Sequence, residues 1–248
     1  MYWSFFCTDK GLREYQEDCI FINGEIVQED HSCGEKTIKG ERALFAVSDG
    51  MGGLSFGDMA SRFVCGLLKD MDIPFSIEGV LKSIQGIQRE FMRTALYNSG
   101  TTLAGVYMNK DRSIIFNVGD SRVYKITKEQ AVYISHDHSY VQSLVDRGII
   151  SYQQSFFHPA KNIIEFGIGD VFQEEWLKGK KPYILEDKLK EDEYYLITTD
   201  GVHDVLTDRE IHYLLCPEPK RGILNLIKEL EKKKSDNYSL ILVRWEQL

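Results

Sequence analysis

The chain is short of apolar length, of basic charge and of patterned cysteine, and each shortage excludes something. No stretch approaches the roughly 18 apolar residues that a membrane helix needs, and the opening MYWSFFCTDKGLR lacks a basic segment leading into an apolar one. Neither a membrane span nor a secretory leader is expected. Lys and Arg number 30 against 38 Asp and Glu, for a net charge of −8 and a pI near 5.3. That balance excludes a general nucleic-acid or anionic-membrane binder, which needs a basic face. The five cysteines (Cys7, Cys19, Cys33, Cys65, Cys216) contain no CxxC pair and are read as reduced thiols of a cytoplasmic protein. No HExxH pattern supports a zinc hydrolase, and no P-loop supports nucleotide hydrolysis. Repeats, linkers and low-complexity tracts are missing too, so the 248 residues read as one folding unit with ample material for a core.

What is present is organised around ALFAVSDGMGG, residues 43–53. An apolar run breaks at once into Asp49 and the glycine-rich turn Gly50-Met51-Gly52-Gly53, the pattern of a buried strand ended by an acid. YWSFFCT and CIFI read as strands before it, and residues 23–40 as a hairpin connection or surface loop. Apolar residues at helical spacing predict helices over 58–70 and 77–97, the first capped near Gly57-Asp58. TLAGVYM, SIIFNVG, SRVYKI and QAVYIS are so tightly spaced that an antiparallel meander is expected. Residues 137–190, with the helical piece HSYVQSLVDRG, read as an insertion packed beside the core. YYLITTDG predicts another strand ended by acid and glycine. Thr207 and Glu210 have the spacing of a capping box, Gly222–Lys234 is a helix, and YSLILVRW is the last strand. The order of elements predicts an α+β layered domain, with sheets in the core and helices over them.

Acids recur at strand ends. Asp49, Asp120 and Asp200 follow strands, while Asp18 and Asp236 precede them. Each one alone is an ordinary turn or capping residue. Only Asp120 has an obvious cation nearby, Arg122. Strand ends share sheet edges, and clustered carboxylates repel unless a cation neutralises them. An all-oxygen donor set with little His or Cys favours hard ions such as Mg or Mn, and two such ions can hold a hydroxide for in-line attack on phosphorus.

Seven motifs in order also carry a resemblance: Arg13-Glu14-Tyr15-Gln16-Glu17-Asp18, Val47 to Gly53, Ser99-Gly100-Thr101-Thr102, Asn117 to Arg122, Asp137-His138-Ser139, Thr199-Asp200-Gly201 with Asp204, and Asp236-Asn237. The chain resembles the PPM family of metal-dependent serine/threonine protein phosphatases, bacterial branch. The resemblance implies two antiparallel sheets packed as a sandwich between helices (a four-layer αββα arrangement), with metals in a cleft at one end. It implies that Asp49 bridges two Mn or Mg ions, that the Gly50 carbonyl binds one of them, and that Asp200 and Asp236 complete the other. It implies that Glu17 and Asp18 hold metal-bound waters, that Arg13 grips the substrate phosphate, and that Asp120 with Asp200 holds a weak third ion. Residues 137–190 match the family's flap. A monomer acting on phosphorylated proteins, among them a serine/threonine kinase, is expected.

This chain departs from the family pattern at several positions. Gln16 stands where bacterial members have Asn. Met51 stands where eukaryotic members carry a His proposed as general acid, so a water must protonate the leaving alkoxide. Glu165-Phe166 replaces Thr-Arg in the flap and reverses the local charge, and Ser235 replaces Gly or Pro with no expected consequence. The competing reading is a catalytically silent pseudophosphatase that docks a kinase or phosphoprotein. It predicts lost metal ligands, whereas Asp49, Asp200 and Asp236 are all present. Structural cation binding alone leaves Arg13 without a purpose.

Overall fold

A computed structural model describes residues 1–51, 56–233 and 235–247. The aromatic opening becomes β1 (Tyr2–Asp9), buried along its length because it runs between β14 (Tyr238–Trp245) and β4 (Ser32–Ile38). Beyond β14 the same sheet continues through β13 (Tyr194–Thr198), β9 (Arg122–Ile126) and β10 (Ala131–Tyr133). A second sheet runs β12 (Tyr183–Asp187), β8 (Ser113–Val118), β7 (Leu103–Met108), β5 (Ala43–Asp49), β2 (Asp18–Ile22) and β3 (Glu25–Val27). Every pairing in both sheets is antiparallel, as it is in a separate short pair of β6 (Gly100–Thr101) and β11 (Ile168–Gly169), and the short helices α3 (Tyr140–Asp146), α4 (Tyr152–Ser155), α5 (Gln173–Leu177) and α6 (Asp200–His203) fall between the later strands.

Alternation along each strand divides the core into three apolar layers. In β14, Ile241 and Val243 point between the sheets and meet Phe45, Val47 and Tyr195, while Leu240 and Leu242 point outward. The outward layer of the first sheet is covered by α7 (Asp208–Leu215) and α8 (Pro219–Lys233), through Ile211, Leu215, Leu226 and Leu230. The second sheet is covered by α1 (Gly57–Asp70) and α2 (Ile77–Phe91), through Val64, Leu68, Ile84 and Ile87. Helix, sheet, sheet, helix is the four-layer arrangement expected. Among the described residues, no helix is long and apolar enough to cross a membrane.

Four local expectations change. Residues 23–40 are not only loop: Glu25–Val27 and Ser32–Ile38 are edge strands, whose polar composition suits strands with one open side. The expected meander is split. β7 pairs with β8 and β9 with β10, but the turn at Gly119, Asp120 and Ser121 carries the chain from one sheet to the other. Within 137–190, Tyr183–Asp187 is a strand of the core sheet, paired with β8, so the stretch outside the sandwich ends before it. The first helix begins after Phe56, with no side-chain cap, and the second ends at Phe91. Cysteine usage departs as well. Cys7 and Cys33 face each other across β1 and β4 and are joined in a disulfide, while Cys19, Cys65 and Cys216 are free.

Candidate active site

Register brings the acids together. β2 and β5 are antiparallel, so the start of one meets the end of the other, and Asp18 and Asp49 are direct cross-strand partners. Like charges placed opposite each other destabilise a sheet unless something neutralises them. In the other sheet, β13 and β14 put Thr198 opposite Leu240. Asp200, just after β13, therefore shares an end with Asp236, just before β14. Asp120 enters from the turn that crosses between the sheets.

Glycines and hydroxyls hold these strand ends close. A Cβ on Gly50 would lie 2.1 Å from the Gly57 carbonyl oxygen and 2.8 Å from that of Glu17, so no side chain fits. One on Gly201 would lie 1.9 Å from the Asn237 carbonyl oxygen. The Thr102 amide donates to the Asp49 carbonyl at 2.9 Å, and the Thr101 hydroxyl donates to the same oxygen at 2.7 Å. The Asp49 amide donates to Thr102 Oγ1 at 3.0 Å. Asn237 ties the Arg13 loop to β14: its side chain accepts from the Glu17 amide and donates to the Lys10 and Tyr15 carbonyls. Gln16 fills its departure from the family pattern by donating to Thr8 Oγ1 and accepting from the Asp18 amide.

The electrostatics are unusual. Asp18 is fully buried; Thr199 donates to its Oδ2 at 2.7 Å, and its Oδ1 has no partner. Asp120 is also buried, with an Oδ1 that finds no partner. Among its neighbours, Asp200 presses hardest on the Asp49 carboxyl, followed by Asp18 and Asp120. Burial pushes Asp18 up to about 7, with Asp200 and Asp236 adding to the shift. Burial, then Asp204 and Asp236, pushes Asp200 up to about 7. Burial and the neighbouring acids Asp200, Asp18 and Asp120 hold Asp49 well above the carboxylate range. Desolvated carboxylates with orphaned oxygens and no private cation form a donor set that suits hard divalent ions.

The remaining site residues fall into place around this cluster. Arg13 is exposed and donates to Asp236 Oδ2 at 2.5 Å, which keeps its guanidinium firmly charged. Glu17 is partly buried beside Arg13, and burial raises its pKa. Met51 donates its amide to the Gly100 carbonyl, whereas Gly52 and Gly53 lie outside the described residues. Arg122, expected to neutralise Asp120 or another acid, makes its ion pair with Asp137, while its charge also acts to lower the pKa of Asp120. Its Nε and Nη2 grip Asp137, at 2.9 and 2.6 Å, in a buried pair completed by the Tyr133 hydroxyl. Phe166 is buried between His138 and Trp176, and Glu165 lies 4.0 Å from Lys180.

The sequence reading passes over several features. Lys161 reaches Asp204 at 2.8 Å, and nothing in its sequence neighbourhood marks that contact. Thr199 and Asn237 do their work through hydrogen bonds that only the folded chain shows. The triplet His136-Asp137-His138 has a zinc-like spacing, but its rings part: His136 meets Asp146, while His138 packs on Phe166. A Gly-x-Ser-x-Gly pattern spans 53–57, and Ser55 lies outside the described residues. Among the described residues, Asp9, Asp30 and His31 bring three possible ligand atoms within 4.8 Å of one another. Lys10 already pairs with Asp30 there.

The Protein phosphatase 2C family model matches residues 5–215. The chain belongs to the protein phosphatase 2C (PPM) family. It is 30% identical over 255 residues to the serine/threonine phosphatase stp of Listeria innocua, covering 96% of this chain and 94% of that one. Serine/threonine phosphatase Stp1 from Staphylococcus aureus superposes with a TM-score of 0.80 at 29% identity, over 98% of this chain and 95% of that chain. The fold is shared also with the catalytic domain of the phosphatase PstP, solved in complex with two manganese ions, with a TM-score of 0.72 at 23% identity over 98% of each chain.

Proposed function

We propose that the chain is a metal-dependent phosphatase that removes phosphate from phosphoserine and phosphothreonine in proteins. The carrying observation is the Asp18–Asp49 register pair at the end of the sandwich, joined by Asp200 and Asp120 with two buried carboxylate oxygens left without partners. Asp49, the Gly50 carbonyl, Asp200 and Asp236 would together hold two Mn or Mg ions, with Asp49 common to both. Asp120, with Asp200, would hold a third and weaker ion. The chemistry those ions supply is activation of a water for in-line attack on phosphorus, together with neutralisation of the charge that builds on its oxygens.

The protein's own groups do the rest. Arg13, exposed at the rim, offers a planar fork to two phosphate oxygens and must exchange Asp236 for the substrate. Asp18 and Glu17 accept hydrogen bonds from water held near Asp49, and Asp18 is kept in place by Thr199. The thioether of Met51 cannot donate a proton, so water protonates the departing Ser or Thr oxygen. Residues 137–182 form a flap against this one phosphatase domain, and Glu165 with buried Phe166 makes its face less basic than the Thr-Arg of relatives. The substrates are phosphoproteins, a serine/threonine kinase among them, and the working form is a monomer.

Hydrolysis of an aryl phosphate and of a phosphothreonine peptide tests this reading, measured with Mn, with EDTA and after Asp49→Asn. Activity only with metal and only with Asp49 is expected. Activity that survives both treatments overturns it, and tight phosphopeptide binding without turnover at any metal concentration makes the protein a docking module instead.

A further inference from the structure

Lys161 lies on the flap segment and reaches back to the acidic end of the sandwich. Its Nζ is 2.8 Å from Asp204 Oδ2, and it donates to the Asp204 carbonyl at 3.3 Å. It lines a small cavity of about 30 Å³ together with Asp120, His203 and Asp204. Asp120 Oδ1, in the same lining, is buried and has no partner. Arg122 lines the cavity as well, and its charge acts on Asp120. Arg122 is committed to Asp137 through Nε and Nη2, and burial keeps His203 neutral. Asp204 presses on both Asp120 and Asp200, and the charge of Lys161 opposes that pressure on Asp200.

We propose that the Lys161 ammonium is a tethered counter-ion standing at the third-cation position beside Asp120, so that a free third ion binds only by displacing Lys161 and with it the flap segment that carries it. The inference rests on the two-ion reading above. A cation attached to the chain is present at high effective concentration and needs no uptake from solution. A free ion on Asp120 and Asp200 would add to the charges of Lys161 and Arg122 already at this end of the sandwich and be repelled by them. Flap seating and occupation of the third position are therefore mutually exclusive.

Mn binding to the whole chain, measured by equilibrium dialysis with free Mn read by electron paramagnetic resonance, tests this in the wild type, Lys161→Met and Lys161→Arg. Two ions bound firmly and a third weakly are expected for the wild type and Lys161→Arg. In Lys161→Met the third site tightens by about tenfold or more once the repulsion from Lys161 is gone. A third site unchanged in Lys161→Met, or three equally tight sites in the wild type, overturns the proposal alone. Absence of any Mn binding overturns the two-ion reading as well. The unsubstituted protein gives an independent check by acylation of Lys161 followed by peptide mass spectrometry. Its rate should stay low at two equivalents of Mn and rise several-fold at saturating Mn, and a rate indifferent to the second addition overturns the proposal.

Discussion

Two buried charge clusters lie side by side in this protein, and they obey opposite rules. Around Asp137 the account closes: Arg122 grips the carboxylate with two nitrogens, Tyr133 donates to it, and the Arg122 guanidinium stacks over the Tyr133 ring. Around Asp49 it does not close: Asp18 and Asp120 keep orphaned oxygens, and the charges nearest in effect to Asp49 are other acids, Asp200 first. A satisfied buried pair holds a structure together. An unsatisfied one of a single sign costs stability, and a fold keeps it only where something from outside completes it.

Substitutions can break this contrast. The largest effect is expected from Asp49→Asn, which should lower phosphatase activity with Mn by on the order of a thousandfold while leaving the metal-free melting temperature equal or higher, since a repelling charge is gone. Arg122→Ala should do the reverse. It leaves Asp137 buried and unpaired and should cost about 3–5 kcal/mol in a denaturant titration, so a stable Arg122→Ala protein would erase the distinction. Arg13→Ala should come next, with kcat/KM for a phosphopeptide down by about 10- to 100-fold and little change in stability, because the guanidinium is exposed.

A pH series sharpens the same point with the smallest effect. Asp18 and Asp200 are raised from an ordinary 3.8 to about 7 in the folded chain. Between about pH 4 and 7 the native state then holds protons that the unfolded chain has released, so stability falls as pH rises through that window. The metal-free protein should melt lower at pH 8 than at pH 5, and Mn at pH 8 should restore the loss. A flat profile without metal would show that the acids are already neutralised from within.

The fold was largely readable because its layers rest on period. Strands such as β13 and β14 are apolar on both faces, and α1, α2 and α8 show one apolar stripe each. The failures came where local pattern competes with pairing. SCGEKTI has little apolar alternation yet becomes β4, because β1 offers an open edge. The short turn at Gly119 and Asp120 resembles a hairpin in spacing, yet it switches sheets. Cys7 and Cys33 share no motif and meet only because of the β1–β4 register. In the site, the acids themselves could be listed from strand ends, but their partners could not. Arg122 makes its ion pair with Asp137 and not with adjacent Asp120, and Lys161 with Asp204, because chain neighbours need not point the same way once a turn changes sheets.

By itself the sequence determined which residues carry the chemistry: Asp18, Asp49, Asp120, Asp200 and Asp236 at the ends of apolar runs, Arg13 at a set distance before Asp18, and Met51 where no proton can be donated. Those are properties of residue type and local period, and they survive without a fold. Only the tertiary structure decided which charges are neutralised. That depends on register, which sets Asp18 against Asp49, and on burial, which removes water as the default partner and leaves the choice to whichever side chain can reach.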